Sequence, residues 1–433
     1  MNFRSTRTPE HEAPIEDVLR RGLAPDGGLY VPTRWPTFAP EDFSGHDPAV
    51  VAETLLGPFF ADSPLAPRLP AICQRALSFP MPAKPLDERA WVLELFHGPT
   101  CAFKDVGARF LAACLEALAR EDDAQTVVLT ATSGDTGAAV AAAFEGMDRA
   151  GAAVLFPQTG VSPRQRHQLT CWDQPIESFA LDGPFDLCQA LVKEAFVDPV
   201  LRDALQLTSA NSISVGRLLP QMSYYAATAL ALHAQAGEKP GFIVPTGNLG
   251  NALACVWARS LGLPIGDVIL ATNDNRTITR FLASGEWAPR PTVATLASAM
   301  DVGNPSNMER LRHQYPDADA VNAQVAAVSV DDAAIREAIV AADAAHGEVL
   351  CPHTATAYHV WQQLPPPERA RPWVLVATAH PAKFEQIVEP LIGRAVAVPE
   401  PLAELLARPT REHALGGNLP ALRDALLSAF GGA

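Results

Sequence analysis

Leu95-Phe96-His97-Gly98-Pro99-Thr100-Cys101-Ala102-Phe103-Lys104-Asp105 is the stretch on which the reading of this chain turns. An apolar run over residues 91–96 ends here. From 103 onward apolar residues recur at 103, 106, 110, 111, 114 and 118, the spacing of one helix face, which predicts a helix over 103–120. A buried strand followed directly by such a helix is one half of a parallel βαβ unit. At the junction stands Lys104, one of only five lysines in a chain whose basic residues are overwhelmingly arginine. Arginine cannot form an imine, so a lysine kept at this position points to the chemistry of an amine. Near a helix N-terminus the positive end of the dipole, together with desolvation, favours the neutral, nucleophilic form. Those are the conditions of a Schiff-base lysine. A helix-start lysine with its tip in water fits the same position, so the remaining loops decide.

Working outward, strands are expected over 126–132, 153–156, 176–181, 242–245, 268–272 and 373–377. Helices are expected over 136–144, 213–236, 251–261 and 381–391. Strands alternating with helices of this length make an α/β fold with parallel sheets covered on both faces. Residues 1–85 are proline-rich and loop-like, with a turn at Pro25-Asp26-Gly27-Gly28 and a short strand over 29–31. We divide the chain into an N-terminal domain (1–88), a core of two nested α/β subdomains (89–400) and a C-terminal helical appendage (401–433).

In open parallel sheets ligands bind beyond the carboxyl ends of strands, and three further loops fall there. Thr132-Ser133-Gly134-Asp135-Thr136-Gly137 offers hydroxyls and free N–H groups to an anion, although Ser, Thr and Asp are also ordinary helix caps. Pro245-Thr246-Gly247-Asn248-Leu249-Gly250-Asn251 lies between a strand and a helix. Gly247 and Gly250 permit positive φ and close backbone approach, which suits a phosphate dianion. It is neither G-x-G-x-x-G nor a Walker loop, so dinucleotide and nucleoside triphosphate sites are not supported. In Ala377-Thr378-Ala379-His380-Pro381-Ala382-Lys383-Phe384, Thr378 ends a strand where its hydroxyl could meet a ring nitrogen, although threonine is also an ordinary strand residue and His380 and Lys383 fit as plain helix-start residues. An amine, a phosphate cradle and a neutral hydroxyl for a heterocyclic nitrogen together match what pyridoxal 5′-phosphate requires.

Bulk properties narrow the alternatives. The chain has 433 residues, 48% apolar and 19% charged, the balance of a globular protein. A net charge of −15 argues against nucleic acid or an anionic membrane as partner. No secretory signal and no apolar stretch long enough to span a bilayer is seen. The seven cysteines are scattered without a C-x-x-C pair, so neither a zinc site nor a disulfide framework is expected, and the reducing cytoplasm is the expected compartment.

The motifs taken in order resemble threonine synthase, a fold-type-II pyridoxal-phosphate enzyme family. They are Gly22-Leu23-Ala24-Pro25-Asp26-Gly27-Gly28-Leu29-Tyr30-Val31-Pro32, His97-Gly98-Pro99-Thr100, Phe103-Lys104-Asp105, Ser133-Gly134-Asp135-Thr136-Gly137, Asn211-Ser212, Arg217-Leu218-Leu219, the 247–251 loop, Arg290-Pro291-Thr292-Val293-Ala294-Thr295, Pro305-Ser306-Asn307 and residues 378–384. The resemblance runs nearly end to end. It implies a tryptophan-synthase-β-like fold of two three-layer parallel-sheet domains, with an N-terminal extension and a C-terminal helical appendage. It implies conversion of O-phospho-L-homoserine and water into L-threonine and phosphate, by a monomer or homodimer. Lys104 would bind the cofactor covalently and move protons at the substrate. Gly247, Asn248, Leu249, Gly250 and Asn251 would hold the cofactor phosphate, Thr378 would face the pyridine nitrogen, and Asp135 would lie near the ring hydroxyl. Ser133, Thr136, Asn211, Ser212 and Arg217 would grip the substrate's carboxylate and phosphate. No metal is expected. Cys101, Val106 and Leu249 depart from the family's usual residues, and 8–11 and 349–352 match poorly. The competing readings are another fold-type-II lyase, such as a serine or threonine dehydratase or a threonine-synthase-like phospho-lyase, and a non-catalytic phosphate-binding relative.

Overall fold

The computed structural model describes residues 1–120 and 125–431. Its frame is a pair of sheets. The first has six strands in the order Ala326–Ser329, Val268–Thr272, Gly241–Pro245, Trp373–Ala377, Ala90–Glu94 and Ala83–Asp87. All neighbours are parallel except the last two, which form an antiparallel hairpin. The second has five parallel strands in the order His413–Leu415, Ile176–Leu181, Ala150–Pro157, Thr126–Ala131 and Gln206–Thr208. Every residue of Gly241–Pro245, Val268–Thr272, Trp373–Ala377, Ala150–Pro157 and Ile176–Leu181 is buried. Helices on both faces account for that, and it is why these strands read as unbroken apolar runs.

The helix after the first apolar run spans Lys104–Leu118, and the one after the second loop Asp135–Phe144. The single helix expected over 213–236 is broken into Val215–Leu218, a 3-10 turn Leu219–Gln221 and Met222–Ala236. Pro220 lacks an N–H and its ring crowds the preceding turn, so the backbone tightens there. A further 3-10 turn, Pro381–Phe384, precedes the last core helix, Glu385–Ile392.

The N-terminal residues form a three-stranded antiparallel sheet, Glu12–Pro14, Asn2–Ser5 and Tyr30–Pro32, followed by the helices Pro48–Phe60 and Leu69–Ala76. These share one apolar core with the two large sheets and their helices. Phe60 meets Phe110 edge-on at 5.9 Å, and Trp35 meets Trp257 at 5.0 Å. At the other end lie the helices Glu400–Leu406 and Leu419–Phe430, with the strand His413–Leu415 between them. His413–Leu415 joins the five-stranded sheet as its edge, and Leu415, Leu422, Leu426 and Phe430 pack with Leu191 and Leu201. Among the described residues, no helix is long and apolar enough to cross a membrane. All seven cysteines are free and buried.

Candidate active site

The carboxyl ends of the two sheets face a shared cavity. Lys104, Ser133, Asp135, Thr136, Asn211, Ser212, Arg217, Gly247, Asn248, Leu249, Gly250, Asn251 and Thr378 all line it. Each residue given a cofactor or substrate role in the sequence therefore lines one cavity, although they are spread over some 270 positions of chain.

Lys104 opens its helix from a loop that is clipped to the end of Trp373–Ala377. The Phe103 N–H donates to the Thr378 carbonyl (2.9 Å), the His380 N–H to the Cys101 carbonyl (3.1 Å), and Lys383 Nζ to the Thr100 carbonyl (2.7 Å). Cys101 turns the loop with φ of 56°. The Thr100 N–H and hydroxyl both donate to Asp105, at 2.9 and 2.6 Å, which closes the loop on its own helix start. Burial brings the Lys104 ammonium down to about 8; Arg217 and Lys383 push the same way, and Asp135 opposes them.

In the second loop the helix cap is Thr132, and neither Ser133 nor Thr136 plays that part. The Thr132 hydroxyl accepts from the N–H groups of Gly134 (3.0 Å) and Gly137 (2.9 Å). The Ser133 and Thr136 side chains are thereby left to the cavity. Asp135 is buried and takes Lys383 Nζ at 2.9 Å and Gln165 Nε2 at 3.2 Å. Burial alone would raise this carboxyl, but Lys383, then Lys104 and His353, hold it below the usual carboxylate range.

The third loop corrects an expectation. The positive φ belongs to Leu249 (65°), and neither Gly247 nor Gly250 is left-handed. Gly247 is required for close approach: a Cβ there would stand 2.6 Å from Met300 Cα. Asn248 fixes the loop by donating to the Ser212 hydroxyl (2.8 Å) and accepting from the Ser306 N–H (2.6 Å). The helix Gly250–Ser260 begins here, so its first N–H groups lack intrahelical acceptors. Asn251 adds a buried donor: its Oδ1 accepts from Tyr224 and Tyr225, while Nδ2 has no partner. An orphaned donor beside a helix N-terminus suits a phosphate, so these residues fit the cofactor that the sequence implied.

Arg217 sits in the short helix before Pro220, buried, and among the described residues it has no ion-pair partner. Its Nη1 donates to the Ala210 carbonyl, and Nη2 reaches the Lys104 carbonyl at 3.5 Å. Burial lowers the guanidinium to about 10, which leaves it charged at neutral pH. Asn211 gives Nδ2 to the Ala131 carbonyl (3.3 Å) and has Oδ1 unpartnered, so as oriented it offers an acceptor and not an anion contact.

The residue that lets Arg217 approach is Gly107, one turn beyond Lys104. A Cβ at 107 would lie 2.7 Å from both the Nε and the carbonyl oxygen of Arg217. Gly to Ala in a helix ordinarily stabilises by roughly 0.5–1 kcal/mol. Overpacking against backbone costs about 1–3 kcal/mol, so the clash wins. Gly107→Ala is expected to lower stability in urea unfolding and to weaken inhibition by inorganic phosphate; a gain in stability would show that the two helices part freely.

Met300, Asp301 and His353 are among the lining residues that were not singled out in the sequence. His353 Nε2 accepts from the Ala299 N–H (3.1 Å), and burial brings the ring to about 4, so it is neutral at physiological pH. Burial raises Asp301 to about 6 despite donors from Thr295 and Asn273 at 2.7 Å. Lys383 stands at a helix start as read, in the 3-10 turn Pro381–Phe384, but it is fully buried and not a solvated cap. Its signal was available, because it is another of the five lysines and lies five residues after Thr378 in the same loop.

Comparison with known proteins gives matches over almost the whole chain. Residues 75–379 match the family model described as pyridoxal-phosphate dependent enzyme, residues 2–77 the threonine synthase N terminus, and residues 354–425 the threonine synthase C-terminal model. A threonine synthase of Haemophilus influenzae is 36% identical, over 99% of this chain and 100% of its own length. The crystal structure of threonine synthase from Escherichia coli superposes with a TM-score of 0.89 at 36% identity, covering 99% of this chain and 100% of that one. A pyridoxal-phosphate-bound threonine synthase from Brucella melitensis also gives 0.89, at 33% identity and 99% coverage of both chains.

Proposed function

We propose a division of labour within this cavity from the premise that the chain belongs to the threonine synthase family of pyridoxal-phosphate-dependent enzymes. Its reaction is the conversion of O-phospho-L-homoserine and water into L-threonine and phosphate, which closes threonine biosynthesis. Bound pyridoxal 5′-phosphate supplies a carbonyl that links to amines and a ring that acidifies the C–H bonds of a linked amino acid.

Lys104 is the amine that would hold the cofactor, and its Nζ is placed to move protons at the substrate's α, β and γ carbons. Its lowered pKa matches that task, since a base must be neutral near the working pH to accept a proton. The N–H groups of 247–251 and Asn251 Nδ2 would hold the cofactor phosphate. Thr378 would offer the ring nitrogen a hydroxyl, not a carboxylate. Ser133, Thr136 and Ser212 donate to the substrate's anionic groups, and Arg217 holds its phosphate. Asn211 serves a donor on the substrate, given its free oxygen. Phe103, Leu249 and Met300 line the same space with apolar surface, which disfavours loosely held water there.

Arg217 is the observation that carries this reading over a dehydratase. A buried guanidinium without a carboxylate partner among the described residues, lining a cavity whose loop 247–251 already suits the cofactor phosphate, supports a second anion in the substrate. With the cofactor-loaded protein, phosphate release from O-phospho-L-homoserine should far exceed ammonia release from L-serine or L-threonine. The reverse ranking would assign the cavity to a dehydratase.

A further inference from the structure

Lys383 is 0% exposed, which is rare for a lysine and costly unless the charge is paired. It has two acceptors: Asp135 Oδ1 at 2.9 Å and the Thr100 carbonyl at 2.7 Å. The first belongs to the helix start on the five-stranded-sheet side, the second to the loop that carries Lys104. Among the described residues, Lys104 itself makes no ion pair. A buried carboxylate near two lysines has thus been given to one of them.

We propose that Lys383 is a positioning residue: by taking Asp135 into an ion pair, it keeps that carboxylate from claiming Lys104 and leaves the Lys104 amine free for the cofactor. This rests on the reading that Lys104 is the cofactor's amine. Lys104 is faced by Asp135, Arg217, Lys383 and His353, and Lys383 by Asp135, Asp105, Cys101, His353 and His380. In this set Asp135 is the one group that stabilises the charged form of Lys104. Removing Lys383 deletes a like charge from the surroundings of Lys104 and releases the opposite one, so both changes favour the protonated amine. Removing Asp135 has the opposite sign.

The test is the pH dependence of cofactor capture. Cofactor-free full-length protein is mixed with pyridoxal 5′-phosphate, reduced with borohydride at set times, and the covalent adduct is measured by mass spectrometry. In the parent chain the capture rate should rise with pH, as the neutral amine is populated. Lys383→Met should move the midpoint up by about one unit or more, the scale on which a nearby charge shifts a pKa, and slow capture at pH 7 by about tenfold per unit. Asp135→Asn should move it down, and the Asp135→Asn/Lys383→Met double variant should fall between the two single variants. If Lys383→Met does not fold by circular dichroism, the downward shift in Asp135→Asn and its partial recovery in the double variant decide the matter. Midpoints that do not move, or single variants that move the same way, would reduce the pair to a structural brace. Capture that persists in Lys104→Ala would instead overturn the underlying assignment of the amine, and so is told apart from failure of this proposal.

Discussion

Lys104→Ala is expected to abolish turnover and covalent cofactor capture while leaving the protein folded. Losing a positioned acid–base group alone costs about 10²–10⁴-fold in rate, and losing the covalent link as well takes activity to background. Stability should hold or rise, because the substitution removes an amine whose burial disfavours its charge. The readouts are phosphate release, the mass of the borohydride-reduced protein and the thermal midpoint. Full activity, or an adduct found on Lys383 in the parent chain, would sink the assignment.

Arg217→Ala has the next largest expected effect. A deleted charge-assisted contact typically costs on the order of 1.5–3 kcal/mol, or about ten- to a hundredfold in kcat/KM. That loss should appear with O-phospho-L-homoserine, and inorganic phosphate should compete much less well. Cofactor capture should persist, because around Lys104 only the long contact to its carbonyl is lost, while the clips on the Lys104 loop and the 247–251 loop are untouched. Arg217→Lys should restore little, since an ammonium cannot reproduce the planar fork of a guanidinium. A variant that lost cofactor yet kept its preference for the phosphorylated substrate would place Arg217 in the wrong subsite.

The parts of this fold that could be read from sequence were those whose burial leaves a local signature. Val268–Thr272 and Trp373–Ala377 are covered on both faces, so each is a continuous apolar run with bounds that matched. Ala326–Ser329 escaped because an edge strand of small residues with alternating exposure looks like loop. His413–Leu415 escaped because three residues carry no period. The break at Pro220 was foreseeable from proline's missing donor, but the alanine-rich run around it hid the interruption. In the site, residues inside β–α loops could be picked out because hydroxyls, glycines and an amine cluster there. His353 and Asp301 could not be found in that way, because they lie outside those loops and are tied to the site by Ala299 and by Asn273. Lys383 lay within the fourth loop, but its ion-pair partner, Asp135, is far along the chain. The cradle taught a subtler lesson, since glycines suggested the left-handed turn and a leucine adopts it.

The insertion of Trp373–Ala377 between Gly241–Pro245 and Ala90–Glu94 sets a schedule for biosynthesis. A ribosome delivers Lys104 early, but the strand that supplies the Thr378, His380 and Lys383 clips to its loop emerges only after more than 370 residues have been made. Until then Ala90–Glu94 has only its hairpin partner, and the apolar flank of Gly241–Pro245 lies open beside it. The nascent chain therefore carries an unpaired strand edge for most of its synthesis, the kind of surface that invites aggregation and chaperone capture. Catalytic competence arrives late and all at once, when the last core strand closes the sheet.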